Sequence, residues 1–249
     1  EDRYAARYIY IDKQGTWHDR GRPTTPDRVL RQMDVVLLGL HGEYGEDGEV
    51  QKLLERFAVP YAGADSWGSY LAMHKVMAKA KAREAGLYTA EFRYVQSSED
   101  ASAAVRDIIR SFHQPVVVKP VGWGSSVGVS IVGGYAPVLS AVEALLAEGA
   151  PGVLVEEYIR GKEATVGVVE GFRNEALYGL PAVEITPPED DFYSYDAKYS
   201  GATRHACPGS FSRVQAEDLI RSAKVMHRAL GLRHYSRSDF IVAPNSRVY

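Results

Sequence analysis

Residues 115–119 (PVVVK) and the segment that follows at once, 121–129 (VGWGSSVGV), constrain this chain more than any other stretch. Three consecutive valines lose χ1 freedom in a helix and fit a pleated surface, so 115–119 predicts a strand. Three glycines and two serines in the seven residues 122–128 then rule out regular structure and leave a loop dense in backbone N–H groups and hydroxyls. Such a loop beside Lys119 can cradle an anion, the lysine supplying a point charge for phosphate. It can equally be a flexible surface connection. Its spacing is neither Walker A nor G-x-G-x-x-G, and no helix follows immediately.

Around this strand the chain alternates element types. Residues 7–12 predict a short strand, and 34–40 (DVVLLGL) a buried parallel strand ending before Gly42. Val50, Leu53, Leu54 and Phe57 fall on one helical face over 49–57. A single long helix is expected over 67–85, capped by Asp65 or Ser66 and stopped at Gly86. Ser97 and Ser98 suit the start of a helix running to about 112, and another is expected over about 137–148. Strands at 153–157, 164–169 and 177–185 have no helix-length crossover between them and read as antiparallel. Ser212 and Gln215 form a capping-box pair before a helix over 216–230, ended by Gly231. A strand at 236–242, turn chemistry at 243–246 and the start of a return strand at 247–249 close the chain. The fold class expected is α/β to α+β in two or three lobes.

Composition removes several classes. With 29 basic and 32 acidic residues, 29 − 32 = −3, the chain lacks the basic excess typical of phosphate-backbone binders, so no nucleic-acid partner is expected. No apolar run approaches the roughly 18 residues a membrane span needs, and the opening EDRYAARYIYID does not resemble a signal peptide. The single cysteine, Cys207, excludes an internal disulfide framework and a Cys-rich zinc site. A cytoplasmic location is the expectation.

Four further segments carry candidate chemistry. Glu156 ends an apolar strand and Glu163 follows a glycine turn; carboxylates so placed suit an amine or ribose hydroxyl, or are solvated strand ends. His41 and the carboxylates of 43–47 sit at the carboxyl end of the 34–40 run, where open α/β sheets bind ligands, or form a hydrophilic turn. Lys198 and Tyr199 lie in a connection of roughly 25 residues, a length typical of functional lids or disorder. Arg237 and Asp239 alternate on one strand face, as a surface pair or as an anion clamp beside a metal ligand.

Taken in order, HGEYGEDGEVQKLLE, VPYAGAD, VVVKPVGWGSSVGVSIV, VLVEEYIRGKEATVGV, FYSYDAKYSG, ACPGS and SRSDF resemble the blocks of the ATP-grasp enzymes, and among them the D-alanine–D-alanine ligase family, from about Val35 to Tyr249. The resemblance implies an ATP-grasp fold preceded by a partial Rossmann-like lobe, with lobes at 1–63, 64–155 and 156–249. It implies a cytoplasmic enzyme of peptidoglycan precursor synthesis. ATP with Mg²⁺ (or Mn²⁺) phosphorylates one D-alanine carboxylate, and the amine of a second displaces the phosphate. By the same resemblance Lys75 and Lys119 contact the α- and β-phosphates, Glu156 accepts from the adenine amine, and Glu157, Tyr158 and Ile159 form the hinge beside the base. Glu163 holds the ribose; Ser125 and Ser126 lie in the loop over the phosphates, Ser125 pairing with Tyr199. Lys198 reaches the transferred phosphate, Arg237 holds the oxyanion, Asp239 ligates Mg²⁺, and His41 lies near the first substrate. Tyr199 beside Lys198 favours an amine over a hydroxyl as nucleophile, and a homodimer is the family's tendency.

The departures are specific. His74 stands where the family usually has Asp, and Ser238 replaces a β-branched or apolar residue. The family's amino-terminal glycine-rich block and its carboxyl-terminal Glu-x-Asn metal ligands do not occur in the span, which reads as cut at both ends. The 249 residues alone are therefore expected to be inactive or nearly so, and the parent protein a ligase.

Overall fold

The computed structural model describes residues 3–187 and 203–249. Strands β1 (Ile9–Ile11), β2 (Trp17–Asp19) and β3 (Arg22–Thr24) form an antiparallel meander. Arg20 and Gly21, both left-handed, make the two-residue turn between β2 and β3. Helix α1 (Pro26–Leu30) follows; then β4 (Val36–Leu37) and β5 (Tyr61–Ala62) pair in parallel across α2 (Glu49–Arg56). Trp17, Val29, Leu30, Leu54, Val59 and Tyr61 bury one core here. The expected buried strand over 34–40 shrinks to two paired residues. Alternation turns Val36 and Leu38 to that core and leaves Val35 58% and Leu37 80% exposed.

The next region is a four-stranded antiparallel sheet in the order β6-β9-β7-β8: β6 (Phe92–Gln96), β7 (Val116–Pro120), β8 (Ser130–Val132) and β9 (Gly152–Glu157). Helices α5 (Ala101–Ser111) and α6 (Tyr135–Ala147) bury Val116, Val118, Val153 and Val155 on one face. By the period-two rule Val117, Lys119, Leu154 and Glu156 point to the other. The single helix expected over 67–85 is two, α3 (Ser66–Met73) and α4 (Lys75–Glu84), broken at His74. Neither glycine nor proline breaks it: the Lys75 N–H is taken by Val121 O at 3.2 Å. Asp65 caps α3 and Gly86 follows α4 with positive φ, as read from the sequence.

The third region is built on β10 (Lys162–Phe172), with β11 (Glu175–Gly179), β12 (Val183–Thr186), β13 (Arg204–Ala206) and β14 (Tyr235–Val242). One edge of β10 is filled by β14 and the other is shared by β12 and β11. The strand expected over 177–185 is thus split. Thr165 pairs with Val183 but Val168 with Gly179, a one-residue slip, and Pro181 in the gap has no N–H for the ladder. Helix α7 (Arg213–Ala229), with the Ser212–Gln215 capping box, covers Ala164, Val166 and Val168. The return expected after 243–246 is a single bridge, Val242 to Val248, rather than a strand: Ala243 N donates to Arg247 O (2.9 Å) and Ile241 N to Tyr249 O (3.0 Å). Among the described residues no helix is long and apolar enough to cross a membrane.

Candidate functional site

The helix-free face of the central sheet holds a compact charged cluster. Glu156 is 5% exposed, and each carboxylate oxygen faces a lysine: Lys119 Nζ lies 2.5 Å from Oε2 and Lys79 Nζ 2.8 Å from Oε1. Oε1 is fully buried, with the Lys79 ammonium as its charged neighbour. Lys75, one turn before Lys79, donates to Trp123 O at 2.5 Å and Val121 O at 3.3 Å. Burial pushes the Lys75 ammonium down to about 8, and Lys119 adds to the effect while Glu156 opposes it. Burial lowers Lys79 too, against the attraction of Glu156. Lys79 also donates to Thr89 Oγ1 (2.6 Å) and Ala90 O (3.2 Å) and lies over the Phe92 ring. Three cations around one anion leave a positive excess beside a half-open sheet face, a setting that attracts polyanions.

The glycine-rich loop starts on this cluster. Val127 N donates to Gly124 O (3.1 Å) across Ser125 and Ser126, whose φ values of 51° and 59° are both left-handed. Two non-glycine residues in that region carry strain of the kind concentrated at ligand-binding segments. Gly128 is left-handed as well, and a Cβ there would meet Leu145 Cδ2 at 2.6 Å. Beyond Glu156 the chain is pinned in both directions. Glu157 N donates to Glu91 O, and Glu91 N donates to Glu157 Oε1, each at 3.0 Å. Tyr158 and Ile159 follow, the first exposed and the second half-buried.

The other charged set lies on the face of the C-terminal sheet opposite α7. Register pairs Thr165 with Asp239 and Gly167 with Arg237, and alternation places Glu163 on the same face. Asp239 Oδ1 accepts from Thr165 Oγ1 at 2.7 Å, and Arg237 Nε lies 3.5 Å from that oxygen. The Arg237 and Asp239 side chains are 70% and 61% exposed. Among the described residues no group of three or more His, Cys, Asp or Glu side chains converges to hold a metal ion. Asp239 is a hard oxygen donor of the kind Mg²⁺ takes one or two of, filling its other positions from phosphates and water.

Of the residues singled out by sequence, Lys75, Lys119 and Glu156 therefore meet, with Ser125, Ser126 and Glu157 to Ile159 on adjoining backbone. Arg237 and Asp239 meet each other but, among the described residues, do not bond to that cluster. His41 is exposed on the connection after β4. Lys198 and Tyr199 lie outside the described residues. A cavity of about 760 Å³ sits elsewhere, lined by Arg7, Tyr10 and His18 among others. Lys79 escaped the sequence reading. The available signal was its i, i+4 spacing from Lys75, which puts both on one helical face.

Comparison with known proteins places this geometry. Residues 82–249 match the family model described as D-ala D-ala ligase C-terminus, and residues 13–64 the one described as D-ala D-ala ligase N-terminus. The D-alanine–D-alanine ligase of Geobacter sulfurreducens is 38% identical over 232 residues, 93% of this chain and 70% of that protein. That of Anaeromyxobacter sp. (strain Fw109-5) is 41% identical over 220 residues, 88% and 68%. The crystal structure of a D-alanine–D-alanine ligase from Bacillus anthracis complexed with ATP superimposes with a TM-score of 0.72 at 27% identity, covering 89% of this chain and 69% of that one. A VanG D-Ala:D-Ser ligase from Enterococcus faecalis gives 0.77 at 25%, covering 96% and 67%. An ATP-grasp fold with a lysine-lined, carboxylate-centred sheet face, matched at both ends by these family models, makes the chain a member of the D-alanine–D-alanine ligase family.

Proposed function

We propose that the protein ligates two D-alanines to D-alanyl-D-alanine for peptidoglycan precursor synthesis, in the cytoplasm and at the expense of ATP. The observation that carries this reading is the Lys75–Lys119–Glu156 cluster: cations for a polyphosphate beside a buried carboxylate that can accept from a base. Glu156 Oε2, once Lys119 turns to the phosphates, suits the exocyclic amine of adenine, with Glu157 to Ile159 along the base and Glu163 at the ribose. Lys75 and Lys119 then neutralise the α- and β-phosphates, and Ser125 and Ser126 cover them from the loop.

The chemistry needs activation because a carboxylate is a poor electrophile. One carboxylate oxygen of the first D-alanine attacks the γ-phosphorus, and ADP leaves. The amine of the second attacks the resulting acyl phosphate carbon, loses a proton, and inorganic phosphate departs as the amide forms. Arg237 faces the oxyanion of that step, Lys198 the transferred phosphate, and His41 the first substrate; Tyr199 with Ser125 closes the loop. Asp239 would supply an oxygen to Mg²⁺ (or Mn²⁺), whose charge would offset that of the phosphates. Three lobes, 1–63, 64–155 and 156–249, are the proposed division, supported by a separate core in each. Homodimerisation is part of the same proposal.

The test is incubation of the full-length protein with ATP, Mg²⁺ and a panel of D-amino acids, reading phosphate release and dipeptide. Preference for D-alanine at both positions is expected, and preference for any other pair overturns the assignment. The likeness to a D-Ala:D-Ser ligase makes D-serine as acceptor the second reading.

A further inference from the structure

Glu156 cannot keep both its present partners once a nucleotide is bound. Lys119 Nζ sits 2.5 Å from Oε2, yet the reading above also asks it to meet phosphates. If Lys119 turns to them, a carboxylate that is 5% exposed is left inside the protein as an anion, a costly arrangement unless another cation stays. Lys79 is that cation. It is anchored to Thr89 Oγ1 and Ala90 O and stacked over Phe92, so it is held on the carboxylate side and away from the glycine-rich loop. Its backbone is fixed one helical turn beyond Lys75, whose own ammonium is engaged by Val121 O and Trp123 O.

We infer that Lys79 is a positioning residue for nucleotide recognition: it is the permanent counterion of Glu156, holding that carboxylate oriented toward the base while Lys119 is released to the phosphates. The inference rests on the proposed nucleotide site. It assigns base selectivity to a residue that touches neither base nor phosphate. An ionised Glu156 only accepts, and so favours the amine of adenine. Without Lys79 nothing holds the carboxylate in that orientation once Lys119 has turned away, and its preference for the amine over the 6-oxo group of inosine is lost.

Titration calorimetry of the chain with ATP and with inosine triphosphate tests this, with thermal melts by circular dichroism as the fold control. For wild type, ATP is expected to bind more tightly, by roughly tenfold for one buried hydrogen bond. In Lys79→Met, ATP affinity falls by about tenfold or more and the preference for ATP collapses, whereas Lys79→Arg retains both. In a Glu156→Gln background, Lys79→Met adds no further loss of preference, because the lysine acts through the carboxylate. Unchanged preference in Lys79→Met, or an equal loss in the Glu156→Gln background, overturns the inference and leaves the nucleotide site standing. A wild-type chain that binds neither nucleotide overturns both.

Discussion

The central and C-terminal sheets share a plan: helices bury one face and charged side chains occupy the other. They differ in how those charges are held. On the central sheet Glu156 is sunk between β6 and β7 with a lysine at each oxygen, and Lys75 has lost enough water for its ammonium to weaken. On the C-terminal sheet Arg237 and Asp239 stand more than half exposed, 3.5 Å apart, with a threonine hydroxyl as the only neighbour bonded to the carboxylate among the described residues. The central face is built in advance and its charges are part of the fold. The C-terminal face keeps its charges in water, where they cost little until a ligand displaces that water. On the proposed function, nucleotide meets the rigid central face and the reacting groups meet the C-terminal one.

The sharpest way to break the comparison is stability. Replacing Lys79 and Lys119 together by methionine strands Glu156 and is expected to cost about 3–5 kcal/mol in urea unfolding. Arg237→Met should stay within about 0.5 kcal/mol. Equal losses would mean the two faces are not held differently. Activity should run the other way for Arg237. If it meets the oxyanion, Arg237→Met in the full-length protein lowers kcat by about 10²–10³-fold with an unchanged melting temperature and little change in KM for ATP. A KM effect alone would move Arg237 into the nucleotide site.

The pH response separates the faces further. Lys75 binds its proton less tightly in the folded chain, at about 8, than at its ordinary 10.5. Between those values the unfolded chain holds more protons, so this group's contribution to stability rises with pH across that window and the penalty is full below it. Unfolding measured at pH 7.5 and 9.5 should show that rise in wild type and lose it in Lys75→Met. Polyphosphate affinity should decline over the same interval as the ammonium empties. The smallest expected effect concerns helix caps. Helix α7 has a complete capping box, whereas α4 is capped by His74 Nδ1 accepting from Met77 N at 3.3 Å. Asp is a stronger cap and its charge suits a helix N-terminus, so His74→Asp should stabilise by about 0.5 kcal/mol, read as a small rise in melting temperature.

Local chemistry made much of this legible. The caps (Ser212, and Asp65 of the pair Asp65 or Ser66), the stops at Gly86 and Gly231 and the β-branched strand over 115–119 act within a few residues, and each is found there, the strand one residue on at 116–120. What escaped depends on distant partners. The break at His74 exists because Val121, 46 residues on from Lys75, claims an N–H that a continuous helix would have used. The split near Pro181 is set by the register against β10. Val35 and Leu37 look like core until alternation decides which face the neighbours cover. For the site, Lys119 and Glu156 stood out by ending strands. Lys79 did not, since a lysine in a lysine-rich helix looks like a solvated face until its buried carboxylate is seen.

Val121 O serves two masters on the same residue, accepting from the backbone N–H of Lys75 and from its ammonium. The glycine-rich loop and helix α4 are thus linked through one carbonyl group at the point where each begins. A change that rotates that peptide plane would shift the pitch of the loop and the reach of the lysine together, so neither can be re-engineered as an independent module.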